Sequence, residues 1–176
     1  MAFKCTRGDV AAAKRYDPAA PCKLMIYFTY PGVIALRRHR FAHKLYLKGL
    51  KNLARWISYR TRKKTGIDIH PAAVIGKCVF IDHGMGLVIG ETAVVGDHCV
   101  LYHGVTLGAN TFDKVDRHPK LGRNVIVYAG AKIIGPVHIG DNSIIGANSV
   151  VVKDAPANSR LKGIPAHHFP TNEAKN

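Results

Sequence analysis

The chain has 176 residues, with 26 Lys or Arg against 11 Asp or Glu, a formal net charge of +15. Hydrophobic residues make up 47% and charged residues 21%, which fits a folded chain and excludes disorder, a state that needs fewer apolar residues. The longest nearly apolar run, Leu24 to Leu36, is interrupted by Pro31-Gly32 and falls short of the roughly 20 residues a bilayer span needs, so the chain does not read as a membrane protein.

The opening Met1 to Asp9 has no apolar signal core, so no secretion is expected and the location reads as cytoplasmic. Cys5, Cys22, Cys78 and Cys99 show no CxxC spacing and read as free thiols. Charge is uneven. Residues 1–65 hold 16 Lys or Arg and 2 Asp or Glu, whereas residues 66–176 hold 10 and 9. The chain therefore divides near Thr65-Gly66 into a basic α-helical region, 1–65, and a second domain, 66–166, followed by a short tail, 167–176.

In the basic region, Asp9 to Lys14 suits a short helix. Asp17-Pro18 reads as a helix start, with Asp17 as N-cap and Pro18 at the first helical position. Pro31-Gly32 breaks that helix and opens another to about Lys48; Gly49 separates it from a last helix, about Lys51 to Arg62. Clustered cations raise nucleic-acid binding, because cationic surfaces release counterions from phosphates. Here, though, they interleave with apolar residues at helical spacing: Ile34, Phe41 and Leu45 near one face, then Leu53, Ile57 and Arg60. That is the pattern of a solvated helical face, so no nucleic-acid partner is expected.

From Gly66 the period becomes six. One aliphatic recurs at Ile69, Ile75, Ile81 and Leu87, restarts at Ile89, Val95, Leu101 and Leu107, and resumes at Leu121, Val127, Ile133, Ile139, Ile145 and Val151. Four residues after the aliphatic stands a small or β-branched residue, as at Ala73, Val79, Ala93, Cys99, Val105, Val125, Ala131, Val137, Ser143 and Ser149. Glycine follows the aliphatic at Gly76, Gly90, Gly96, Gly108, Gly122, Gly140 and Gly146, and is read as a corner-turning residue. Hexads of this kind define a parallel β-helix: three make a triangular coil of about 18 residues whose aliphatics stack into one core. Residues 66–153 supply about five coils.

Two irregularities break the prism, a slip at Gly84-Met85-Gly86 and an excursion between Leu107 and Leu121. Loops that leave a rigid scaffold often carry its function. Each irregularity brings a histidine beside a charged neighbour, Asp82-His83 and Arg117-His118, which makes both candidates for acid/base work.

The ordered set Thr65-Gly-Ile-Asp-Ile-His-Pro71, Phe80-Ile-Asp-His-Gly-Met-Gly86, Val88-Ile-Gly-Glu-Thr-Ala93, Gly104-Val-Thr-Leu-Gly108 and Asp116-Arg-His-Pro-Lys120 closely resembles the serine O-acetyltransferase family. The resemblance covers residues 66–166, reaches back to Asp17-Pro-Ala-Ala20, and is to the short form of the family. It implies a left-handed β-helix, acetyl-CoA as cosubstrate, L-serine as acceptor, no metal, and a homotrimer or dimer of trimers with the site between neighbouring prisms. His83 matches the general base, Asp68 the acid that orients it, and His118 and Arg117 substrate-site residues. Asp17 and Asp82 match the acids that hold the serine ammonium, with Glu91 lining the same pocket. Gly108, Ala109 and Ala129 match positions contacting coenzyme A. Asp68 and His83 are expected to meet because, on an 18-residue coil, position 86 stacks over 68.

Two departures stand out. The glycine-rich stretch usual after Gly108 reads Ala109 to Val115 here, which bears on coenzyme A affinity and acyl preference. The chain ends Asn172 to Asn176 without the isoleucine that cysteine synthase grips, so no such complex is expected. Alternatives are a related acyltransferase acting on a sugar hydroxyl, a scaffold using the basic helices, and a zinc carbonic-anhydrase-like β-helix. The last is raised by the five-residue offset of His98 and His103, but no histidine stands where a third ligand is expected, around Arg62.

Overall fold

The computed structural model describes residues 2–170. The side chain of Cys5 and residues 171–176, on which the cysteine synthase expectation rests, lie outside what is described. Four helices come first: α1 (Ala2–Tyr16), α2 (Lys23–Thr29), α3 (Pro31–Leu47) and α4 (Lys51–Thr65). Helix α1 is longer than expected. Gly8 does not end it, because its missing side chain lets the helix approach the coil, where a Cβ would stand 2.8 Å from Cys78 Sγ. Asp17 caps no helix. Its Oδ1 accepts the Ala19 N–H at 2.8 Å in a local turn, and α2 begins only after Pro21, which disfavours a helical Ala20. Helix α3 starts with Pro31 at its first position as expected, and α4 runs three residues past Arg62 to end on Gly66, left-handed at φ 70°.

From Asp68 onward, two- to three-residue strands alternate with corners and form a left-handed parallel β-helix of three faces. The first face holds five strands (68–69, 88–89, 106–108, 132–134, 150–151), and the second holds 74–75, 94–95, 120–121 and 138–139. The third holds 80–81, 100–101, 126–127, 144–145 and 159–162, and His167–Pro170 returns antiparallel on its edge. A hairpin thus crosses the position 166 boundary set from the sequence.

The inward residues stack from coil to coil. Ile69, Ile89, Leu107, Ile133 and Val151 line the first face, and the residues that lead into strands on the three faces, Ala73, Ala93, Cys99, Val105, Val125 and Ala131, are buried as well. Each buried aliphatic contributes about 1.5–3 kcal/mol. Register corrects the sequence reading at one point: Asp68 pairs with Val88, so this coil is longer by the two-residue slip. Leu87 therefore lies in register with Ile67 and Val105, each just before a first-face strand, and not with Ile69 and Ile89.

The corner glycines also differ from expectation. Gly76, Gly96, Gly122 and Gly140 do not adopt positive φ; successive coils pass so close there that a Cβ would strike the next backbone or the Asp97 or Asp141 side chain. Left-handed conformations fall instead on Cys78, His98, Asn124, Asn142 and Asn158 along one corner and on Gly86, Gly104, Gly130 and Asn148 along another.

The helices close the base of the prism. Ala35 and Leu36 of α3 pack with Ile67, Ile69 and Ile81, while Val10, Ala13, Ile26 and Val33 cover Phe80 and Val100 on the outer third face. A buried ion pair ties them down. Arg40 of α3 grips Asp9 of α1 through both guanidinium nitrogens and donates to the Gly76 carbonyl at 3.1 Å, and Asp9 accepts the Val79 N–H at 3.2 Å. Burial pushes the Asp9 carboxyl up to about 6 against the opposing pull of Arg40.

Candidate active site

The site residues fall at the two edges of the first face. One edge is the corner between the third and first faces, where the slip lies. His83 sits there at φ 56°, an uncommon conformation for a residue with a side chain, and its side chain is 76% exposed. Its Nε2 stands 3.7 Å from Asp82 Oδ1, too long for a hydrogen bond. Asp17 lies in the field of the same ring. Its Oδ2 accepts the Tyr30 hydroxyl proton at 2.5 Å, which holds the Asp17 carboxyl below its usual range and pushes the Tyr30 phenol up to about 12. The His103 ring stands edge-on to His83 at 6.1 Å between centroids, and Ala129 lies on this corner two coils further along.

The other edge is the corner between the first and second faces, where the excursion leaves. His118 returns there and is 7% exposed. Its Nδ1 is 2.9 Å from Thr92 Oγ1 and accepts the Thr92 N–H at 3.2 Å. Burial, then the neighbouring Arg117, lowers its proton affinity. Arg117 donates to the Thr111 carbonyl at 2.9 Å, which folds the excursion onto itself. Glu91 approaches the Tyr46 hydroxyl at 3.4 Å and lies in the field of His70 and His118. His70 accepts the Ala72 N–H on Nδ1 at 3.1 Å, and burial lowers its proton affinity too. Gly108 and Ala109 begin the excursion at this edge; a Cβ on Gly108 would come within 3.0 Å of Ile134.

Asp82, Asp17 and His83 are therefore brought together, and so are Glu91, Arg117 and His118. The two sets are not joined within one chain. Asp68 is also not in contact with His83: its ion-pair partner is Arg62 of α4, at 3.2 Å. The lengthened first coil is the cause, since 88 and not 86 stacks on 68. The two stay neighbours, because Gly84, next to His83, lies against the side chain of Ile67, next to Asp68. His98 and His103 occupy different corners, and among the described residues no three His, Cys, Asp or Glu side chains group as a metal site needs. Sequence reading passed over Tyr30, His70 and Thr92. His70 and Thr92 stood inside the quoted motifs; nothing in a six-residue period marks Tyr30.

A short-stranded prism with an excursion at one corner is the architecture of the hexapeptide-repeat transferases, and residues 118–153 match the family described as bacterial transferase hexapeptide (six repeats). The serine acetyltransferase of Mycobacterium tuberculosis is 54% identical over 159 residues, which are 90% of this chain and 69% of that protein. Two crystal structures superpose closely. The serine acetyltransferase of Neisseria gonorrhoeae in complex with serine gives a TM-score of 0.91 at 42% identity, over 94% of this chain and 68% of that one. That of Brucella abortus in complex with coenzyme A gives 0.92 at 41% identity, over 96% and 67%. The chain belongs to the serine acetyltransferase family and spans about two thirds of the length of these relatives.

Proposed function

We propose that this acyltransferase moves the acetyl group of acetyl-CoA to the hydroxyl of L-serine, giving O-acetyl-L-serine for cysteine synthesis, at a site shared by two chains of a homotrimer. The observation that carries the reading is His83, an exposed imidazole set at a strained corner among Asp82 and Asp17. Crystallised relatives described as complexes with serine and with coenzyme A support both substrates.

His83 takes the proton from the serine hydroxyl as the oxygen attacks the thioester carbonyl carbon. The carbon–oxygen bond forms and a tetrahedral oxyanion results. When the carbon–sulfur bond breaks, the departing thiolate takes the proton from the imidazolium, and the base is restored. Asp68 steadies the imidazolium once its pair with Arg62 opens; an exposed pair is worth about 0–1 kcal/mol, so opening costs little. Asp17 and Asp82 hold the substrate ammonium, and Arg117 and Glu91 of the neighbouring chain bind its other groups with His118. Gly108, Ala109 and Ala129 border coenzyme A; they too are divided between the two edges, as a shared site requires. Rotational symmetry brings one edge of each prism to the other edge of its neighbour. The free thiols of Cys22, Cys78 and Cys99 fit a reducing cytoplasm.

The test is thiol release from acetyl-CoA with L-serine, run beside sugars and other hydroxyl acceptors. Serine is expected to exceed a sugar acceptor in kcat/KM by at least about a hundredfold, since a site built around an ammonium and a carboxylate rejects acceptors lacking them. Equal turnover on a sugar would assign the chain to the rival acceptor class.

A further inference from the structure

We propose that Thr92 is a positioning residue that fixes His118 as its Nε2–H tautomer, so that the buried ring offers the substrate a hydrogen-bond donor and not a base. The proposal rests on the reading of His118 as a site residue.

Every polar group of Thr92 engages the returning end of the excursion. Its Oγ1 accepts the N–H groups of Arg117 and His118, each at 3.1 Å. Those two bonds occupy both lone pairs, so Oγ1 accepts nothing from His118 Nδ1, 2.9 Å away; its own hydrogen is shared between that nitrogen and the Asp116 carboxylate. The Thr92 N–H donates to the same nitrogen at 3.2 Å. A ring nitrogen that receives donors carries no proton, so the single proton of the neutral imidazole resides on Nε2. The Thr92 carbonyl accepts from Lys120 Nζ, which also pairs with Asp116 at 2.5 Å, closing the 116–120 segment around one residue.

Gly90 fixes the other side of the ring. It occupies the coil position next to His70, and a Cβ there would overlap His118 Cδ2 and Nε2. The imidazole thus occupies the space a side chain would fill, held at Nδ1 by Thr92. A donor so held suits an acceptor oxygen of the substrate, because its geometry is set before that oxygen arrives. It cannot share the proton-accepting work of His83, whose ring no such network locks.

The experiment uses the full chain labelled with 15N-histidine and long-range proton–nitrogen NMR, with the His118 signals assigned by their loss in His118→Gln. The wild type is expected to show a pyridine-like Nδ1 and a pyrrole-like Nε2. Thr92→Val is expected to move both signals toward tautomer averaging and to lower kcat/KM by about 10–100-fold, with Thr92→Ser recovering most of the loss. A pyrrole-like Nδ1 in the wild type, or a Thr92→Val chain with unchanged signals and unchanged kinetics, would overturn the proposal. The wild-type spectrum needs no variant to fold. Full turnover by His118→Ala would instead overturn the reading of His118 beneath it.

Discussion

The two edges of the first face carry one histidine each, and their environments are opposite. His83 is exposed, strained in its backbone, and faced by carboxylates at a distance. His118 is buried, packed on a glycine, and bonded at Nδ1 by one threonine. A base must collect and release protons and so needs access and a stabilised cation. A donor needs a fixed direction and a fixed tautomer. On the proposed roles, the same hexads yield both, one through a slip of two residues and the other through an excursion that folds back.

Removing the base is expected to have the largest effect. His83→Ala should lower kcat by about 10²–10⁴-fold in the serine assay while the oligomer elutes unchanged on size exclusion. Normal turnover would erase the distinction between the edges. At the other edge, His118→Ala should cost less, about 10²–10³-fold in kcat/KM, and His118→Gln should recover part of it by placing an N–H near Nε2. Equal loss in both variants would indicate proton transfer rather than donation. Gly90→Ala, which puts a methyl where the His118 ring lies, should reduce kcat/KM about 10–100-fold. A fully active Gly90→Ala chain would mean that the ring has other room.

A third histidine, His39, buried among the helices, sharpens the contrast through stability. His39 of α3 is buried beside a small cavity bordered by Ser58, Thr61 and Ile67, and burial pushes its imidazole down to about 3. Its unfolded value is 6.5, so its stabilising contribution is complete above that pH and is lost as pH falls toward 3. Between pH 7 and pH 5 this amounts to about 2 kcal/mol. Asp9, pushed up to about 6, takes up its proton over the same range in the folded state and offsets about 1 kcal/mol of that loss. Urea unfolding at the two pH values should therefore show a smaller net loss in the wild type, and the comparison with His39→Leu isolates the His39 part. His39→Leu should show correspondingly less.

The coil was readable because its core repeats. Ile89, Leu107 and Ile133 keep phase, and each is buried in the structure. Leu87 departs from the expected series because a two-residue slip can be placed before or after it without breaking the pattern, and only strand register decides. Glycines at 76, 96 and 122 were read as turn formers; their reason is crowding between coils, a contact some 20 residues away that composition does not reveal. Asp17 carries a helix-start signal, yet it sits in a turn before a second proline and is bound by the Tyr30 hydroxyl, in the field of His83. Asp82 and His83 are adjacent in sequence and remain so. Thr92 and His118 are 26 residues apart, joined only because the excursion returns, which no period predicts.

The central claim is that each site takes His83 from one chain and His118 from its neighbour. It is tested by coexpressing His83→Ala and His118→Ala chains and assaying the mixed oligomers. Random mixing within a trimer leaves about a quarter of the interfaces with both histidines intact, and activity near that fraction of the wild type is expected from two inactive parents. Mixed oligomers as inactive as either parent would place both histidines in a single chain's site and contradict the account.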